Sequence, residues 1–148
     1  MSAPANQAVD DVPVDHVWAC LKADPKAILI DVRTRAEWNF VGTPDLSALG
    51  RDTVLIEWQS FPEGRVNAAF VDQLRAKLDE LGADGDTELF FICRSGVRSR
   101  HAAIAATGAD YLRCRNVAEG FEGPLDANSH QRGRNAGWKA AGLPWRQS

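Results

Sequence analysis

Cysteine is scarce in this 148-residue chain: Cys20, Cys93 and Cys114 are the three, widely spaced and without a CxxC pair. That odd, scattered set argues against a disulfide framework and against a cysteine-based zinc site. His16, His101 and His130 add no ligand cluster, so no metal is expected. Excess positive charge is missing as well: 17 Lys and Arg against 20 Asp and Glu leave a net charge of -3. So weak a positive field gives little reason to expect nucleic acid or an anionic membrane as partner. No apolar run nears the length that crosses a bilayer. Residues 1–12 contain neither a basic start nor the apolar stretch of a signal peptide. They read as a frayed, flexible tail before a single domain at 13–148, expected in the cytoplasm.

What the chain has is the make-up of an ordinary folded domain, 45% hydrophobic and 25% charged. Pro13 suits a helix start, and Val14, Val17, Trp18 and Leu21 then repeat at helical spacing. Ala27 to Val32 reads as a strand covered on both faces. Thr34 and Glu37 form a capping-box signature for a short helix. A second strand is expected at Thr53 to Trp58, and Asn67 is expected to cap a helix bearing Phe70, Val71, Leu74 and Leu78, stopped by Gly82. Glu88 to Ile92 makes a third strand. An alanine-rich helix from Ser99 to Thr107 is expected to end at Gly108, before a last strand from Tyr111 to Val117. Strand alternates with helix, so the expected fold is α/β, with a mainly parallel central sheet flanked by helices. The glycine-broken stretch 121–137 could serve as a lid or as a plain surface loop, and Trp138 to Trp145 reads as a short docked helix.

Ligands of open parallel sheets sit at the C-terminal ends of the strands, where Arg33, Trp58, Cys93 and Phe121 are expected to converge. One of these is a nucleophile. Cys93-Arg94-Ser95-Gly96-Val97-Arg98-Ser99 joins strand to helix, so successive backbone N–H groups can turn inward around the sulfur. A helix N-terminus with adjacent arginines stabilises a thiolate. Gly96 permits a backbone that a Cβ opposes, and Arg94 and Arg98 offer planar donors to an oxyanion. Trp58 and Phe121 are candidate pocket walls.

The loop resembles the active-site loop of the rhodanese family. Ile30-Asp31-Val32-Arg33 with Glu37-Trp38 is similar to that family's early framework motif, Asn116-Val117 with Gly120 to the segment after its last central strand, and Trp138 to Pro144 to its usual ending. Two stretches depart from it: Val41 to Gly50 lacks a Gly-His-Ile sequence, and Phe121 to Gly137 looks like an insertion. The resemblance implies a rhodanese-like fold and a sulfurtransferase needing no cofactor, with Cys93 accepting sulfur, Arg94 to Ser99 forming the loop, and Asp31, Arg33 and Glu37 serving as framework. It further implies a small sulfur donor such as thiosulfate or a persulfide, a thiol or cyanide acceptor, and room for a protein acceptor. Arg94 directly after the cysteine disfavours 3-mercaptopyruvate as donor. A persulfide carrier or sensor, and a cysteine-dependent phosphatase or arsenate reductase, are the alternatives. Cys114 is read as buried filler before it is read as a resolving thiol, Cys20 as filler of the first helix, and His101 as solvated.

Overall fold

The computed structural model describes residues 9–59, 64–123 and 136–147. In chain order the elements are β1 (Asp10–Val12), α1 (Val14–Ala23), β2 (Ile28–Asp31), α2 (Arg35–Phe40), β3 (Thr43–Pro44), β4 (Val54–Leu55), α3 (Phe70–Glu80), β5 (Leu89–Ile92), α4 (Val97–Gly108), β6 (Cys114–Val117) and β7 (Trp145–Arg146), with a 3-10 turn at Ser47–Leu49. Five strands form one sheet in the order β1-β6-β5-β2-β4, every pairing parallel. β3 and β7 form a separate antiparallel pair. The expected α/β fold with a mainly parallel sheet is the one observed.

Side-chain alternation sorts the central strands onto two cores. Ile30 and Phe91 pack with Phe70, Leu74 and Leu78 of α3 and with Ala102, Ala103 and Ala106 of α4. Leu29, Phe90 and Ile92 pack on the other face with Val17 and Leu21 of α1, and with Phe121 and Trp138. All four β5 residues are buried. Each such side chain contributes about 1.5–3 kcal/mol, so the strand that ends at Cys93 is firmly held. The ladder runs on past the strand ends, through Val32 N–H to Ile92 O (2.9 Å), Ile56 N–H to Asp31 O (3.1 Å) and Trp58 N–H to Val32 O (3.0 Å).

Several local expectations need correction. Residues 10–12 are not tail: they form β1, with Asp11 opposite Asn116 in register, and Val9 beside them is buried. Pro13 precedes α1 as its cap in extended conformation and does not open the helix itself. α3 starts at Phe70, not directly after Asn67; the Asn67 side chain accepts from the Ala69 N–H (3.0 Å) and donates to Glu57 O (2.9 Å), tying the approach to β4. β4 and β6 are shorter than read. α4 begins at Val97, two residues before the expected Ser99, and carries Gly108 inside it; Asp110, at φ 76, makes the left-handed turn instead. Trp138 to Trp145 is a set of turns leading into a strand, since Gly142 at φ 75 and Pro144 stop any helix. Most of the 121–137 stretch lies outside the described residues, and His130 with it. No helix among the described residues is long and apolar enough to cross a membrane.

Candidate active site

β5 delivers Cys93 to the C-terminal edge of the sheet, where its residue is 1% exposed. The chain then turns outward: Arg94 is exposed, Gly96 takes φ 106, and α4 starts at Val97. Three hydrogen bonds from the turn after β6 fix this loop from behind, with Phe121 N–H donating to Cys93 O (2.8 Å) and Glu122 and Gly123 N–H to Arg94 O (3.0 and 3.1 Å). Gly120, at φ 67, is obligatory for that approach: a Cβ there would lie 2.5 Å from Cys93 O.

Among the described residues, two groups reach the sulfur. Gly96 N–H donates to Sγ at 3.1 Å, and Ser99 Oγ lies 3.2 Å from it. Both belong to the N-terminus of α4, whose unpaired N–H groups and dipole favour negative charge. Val97, by contrast, is 65% exposed and faces solvent.

The two arginines part company. Arg98 sits on the first turn of α4 and gives both terminal nitrogens to Glu37, at 2.8 and 3.0 Å. Burial pushes the Glu37 carboxyl up, but hydrogen bonds from Arg98 and Thr34 outweigh it and hold the group at about 2. For Arg98, burial works against the charge, while Glu37, Cys93 and Asp31 favour it strongly enough to raise its pKa. Arg98 therefore acts as a fixed positive charge beside the loop and not as the free anion clamp expected of it. Glu37, expected to be framework, is its partner. Arg94 remains the exposed cation. It lines a groove of about 530 Å³ with Thr34, Glu37, Phe40, Arg98 and Glu122.

Asp31 and Arg33 are both fully buried and joined at 2.7 Å, with Arg33 also donating to Gly42 O at 2.6 Å. Breaking such a pair costs about 3–5 kcal/mol, so they lock β2 to the segment that leads into β3, as framework residues do. Phe121 is not a pocket wall: it is 0% exposed, with the Arg33 guanidinium 4.3 Å over its ring. Trp58 is half-buried edge-on against Phe70 and likewise does not line the groove. Ser95 is half-buried in the loop.

Cys114 pairs in register with Leu89, which places it roughly 13 Å along the sheet from Cys93, beyond disulfide reach. Burial pushes its thiol up to about 11, and Sγ donates to Tyr111 O at 3.2 Å. Cys20 lies 3.4 Å from His16 on α1, and His101 is exposed. Among the described residues no group of three or more His, Cys, Asp or Glu could hold a metal ion. A larger groove of about 1310 Å³ runs along β4 and the N-terminal strand ends, past Asp24, Arg51, Leu55 and Arg113. It follows the open edge of the sheet and reaches neither Cys93 nor its loop, so the smaller groove is the candidate mouth.

Sequence reasoning missed two groups behind the sulfur. Asn116, quoted only as part of a motif, accepts from Ser99 Oγ at 2.5 Å and donates to Gly96 O and to Asp11. Asp11 was hidden in the supposed tail. A buried amide on a strand was the one available signal, since such a side chain must find partners.

The family model of the rhodanese-like domain matches residues 15–126, a span that contains the whole cysteine loop. An uncharacterized protein of Rickettsia conorii is 33% identical over 139 residues, 93% of this chain and 98% of that one. The crystal structure of Rv0390 from M. tuberculosis is 44% identical, with a TM-score of 0.83 over 95% of this chain and 98% of that one. At 18% identity, the polysulfide-sulfur transferase homodimer of Wolinella succinogenes shares the fold, with a TM-score of 0.58 over 97% of this chain and 82% of that one. By family model, relatives and fold, this chain belongs to the rhodanese-like domain family.

Proposed function

We propose that this protein is a sulfurtransferase that moves sulfane sulfur from thiosulfate or a persulfide donor to a thiol or cyanide through a persulfide on Cys93. Membership of the family supports sulfurtransferase-type or related cysteine-based activity. The observation that carries the finer reading is the sulfur itself, held at the N-terminus of α4 with the Gly96 N–H 3.1 Å away and the exposed Arg94 at the groove.

In the first half-reaction the Cys93 thiolate attacks the outer sulfur of thiosulfate, the S–S bond breaks, and sulfite leaves with the bonding pair. Cys93 is left as an anionic persulfide. Arg94 binds the sulfonate end of the donor and stabilises the charge that gathers on departing sulfite. The Gly96 N–H and the α4 dipole stabilise the persulfide, and Arg98, pinned by Glu37, adds a positive charge that needs no rearrangement during the reaction. In the second half-reaction a thiolate or cyanide attacks the outer sulfur and restores the Cys93 thiolate. No cofactor takes part in this scheme.

Thiosulfate-treated protein, analysed by non-reducing intact and peptide mass spectrometry, is expected to gain one sulfur atom on Cys93 and to lose it to cyanide. Cys93→Ser is expected to gain none. Sulfur found on Cys20 or Cys114 with Cys93 unmodified would refute the assignment. Arg94→Ala is expected to slow thiosulfate loading more than alkylation by neutral iodoacetamide.

A further inference from the structure

Ser99 Oγ stands between two groups that both want its single proton: Asn116 Oδ1 at 2.5 Å and Cys93 Sγ at 3.2 Å. The orientation of the Asn116 amide is not free. Its Nδ2 donates to Asp11 Oδ1 at 2.9 Å and to Gly96 O at 3.0 Å, so its oxygen must be the atom facing Ser99, and an amide oxygen only accepts. Asp11 is in turn held by Arg100 Nη1 at 2.8 Å. Ser99 is 0% exposed and Asn116 3% exposed, so water does not compete for the site.

We propose that Asn116 is a positioning residue that takes the Ser99 hydroxyl proton in the resting enzyme, leaving Ser99 to face Cys93 with a lone pair. A lone pair accepts from a thiol S–H and repels a thiolate. While Asn116 Oδ1 holds that proton, the hydroxyl does not donate to the anionic sulfur; released from Asn116, it would. Asn116 thus restrains the thiolate, and Ser99 becomes its donor only where Asn116 is removed. The proposal rests on Cys93 being the reactive thiol of the sulfurtransferase reading.

Among the described residues, the charged groups near the loop are Arg94 in the loop, Arg98 on α4, Glu37 on α2, Asp31 at the end of β2 with its partner Arg33, Asp11 on β1 with Arg100, and Glu119 in the turn after β6. Ser99→Ala leaves all of these groups with their partners, whereas Asn116→Leu removes one donor from Asp11, which keeps Arg100. Besides the Asn116 bond to Gly96 O, the loop backbone is held by Phe121, Glu122 and Gly123 N–H on Cys93 O and Arg94 O.

The test is the pH midpoint of iodoacetamide alkylation of Cys93, read by peptide mass spectrometry on the full chain. Asn116→Leu is expected to lower the midpoint by about one unit, the effect of one hydrogen bond gained by a charged group. Ser99→Ala in the otherwise unchanged chain removes an acceptor from the thiol and is expected to lower the midpoint slightly. Ser99→Ala added to Asn116→Leu removes a donor from the thiolate and is expected to raise it by about one unit. That reversal of sign is the signature of the proposal. A rise or no change on Ser99→Ala alone overturns it, and this arm stands even where Asn116→Leu fails to fold, as checked by circular dichroism. Alkylation reads the thiol whether or not sulfur is transferred. Failure to load sulfur from thiosulfate with the sign reversal intact would sink the proposed activity alone; loading without the reversal would sink this inference alone.

Discussion

Glu37 accepts from the N–H and hydroxyl of Thr34, both at 3.1 Å, and from both terminal nitrogens of Arg98, so one carboxylate joins the cap of α2 to the first turn of α4. Burial raises its pKa and these donors lower it further, from an ordinary 4.5 to about 2. The folded value lies below the unfolded one, so the contribution to stability is complete above about 4.5 and is lost as pH falls through about 2. Urea unfolding followed across that window is expected to show wild-type stability rising with pH more steeply than that of Glu37→Gln. Equal slopes would show that the pair does not form. The side chains are only 20% and 19% exposed, so solvent screens the pair weakly, and the loss at neutral pH is expected to be about 1.5–3 kcal/mol, the worth of a hydrogen bond to a charged group. The larger effect of Glu37→Gln is expected on position, because it loosens Arg98 beside the loop.

β1 shows what an element contributes that its own composition does not announce. Asp10 and Asp11 are exposed and the strand is three residues long, so nothing in its hydrophobic pattern marks it. Pairing with β6, burial of Val9 and the Asp11 bonds to Asn116 and Arg100 order it. Deleting residues 1–12 is expected to destabilise the domain by at least about 2 kcal/mol, the worth of one buried aliphatic side chain plus an exposed sheet edge, measured by urea denaturation. Unchanged stability would return these residues to the status of a tail. β2 and β5 were legible because a buried parallel strand writes itself as an apolar run. α4 was legible apart from its ends, where a glycine stayed inside the helix and Asp110 took the turn. β7 was not legible at all, because its partner β3 lies about a hundred residues away and Trp138 to Leu143 carries local helix signals. The site divides the same way. Cys93, Arg94 and Gly96 form a local pattern that a sequence displays, whereas the Arg98 to Glu37 and Asn116 to Asp11 contacts span 61 and 105 residues and exist only once the sheet has formed.

At the scale of the whole molecule, the parallel sheet brings Cys93, the exposed Arg94 and the N-terminus of α4 to the same edge, an arrangement that also suits phosphoryl transfer. The loop itself separates the two chemistries. Four residues lie between Cys93 and Arg98, one fewer than in protein tyrosine phosphatase-like loops, so the cradle is smaller. A phosphoryl group must place three oxygens among loop N–H groups and an arginine fork while sulfur attacks in line. Here the Arg98 fork is already spent on Glu37 at 2.8 and 3.0 Å. Ser99, at the next position, is buried against Cys93 and Asn116 and carries no charge to replace it. A single sulfur atom on Cys93 needs far less room, and Arg94 suffices for the far end of a small anion. Purified protein is therefore expected to transfer sulfur from thiosulfate to cyanide in a Cys93-dependent reaction and to show no Cys93-dependent hydrolysis of an aryl phosphate. Inserting one glycine between Val97 and Arg98 is expected to depress sulfur transfer at least tenfold by moving α4 away from the sulfur. Rapid aryl phosphate hydrolysis that disappears in Cys93→Ser, with no sulfur transfer in the same preparation, would assign the site to phosphoryl chemistry despite the short loop.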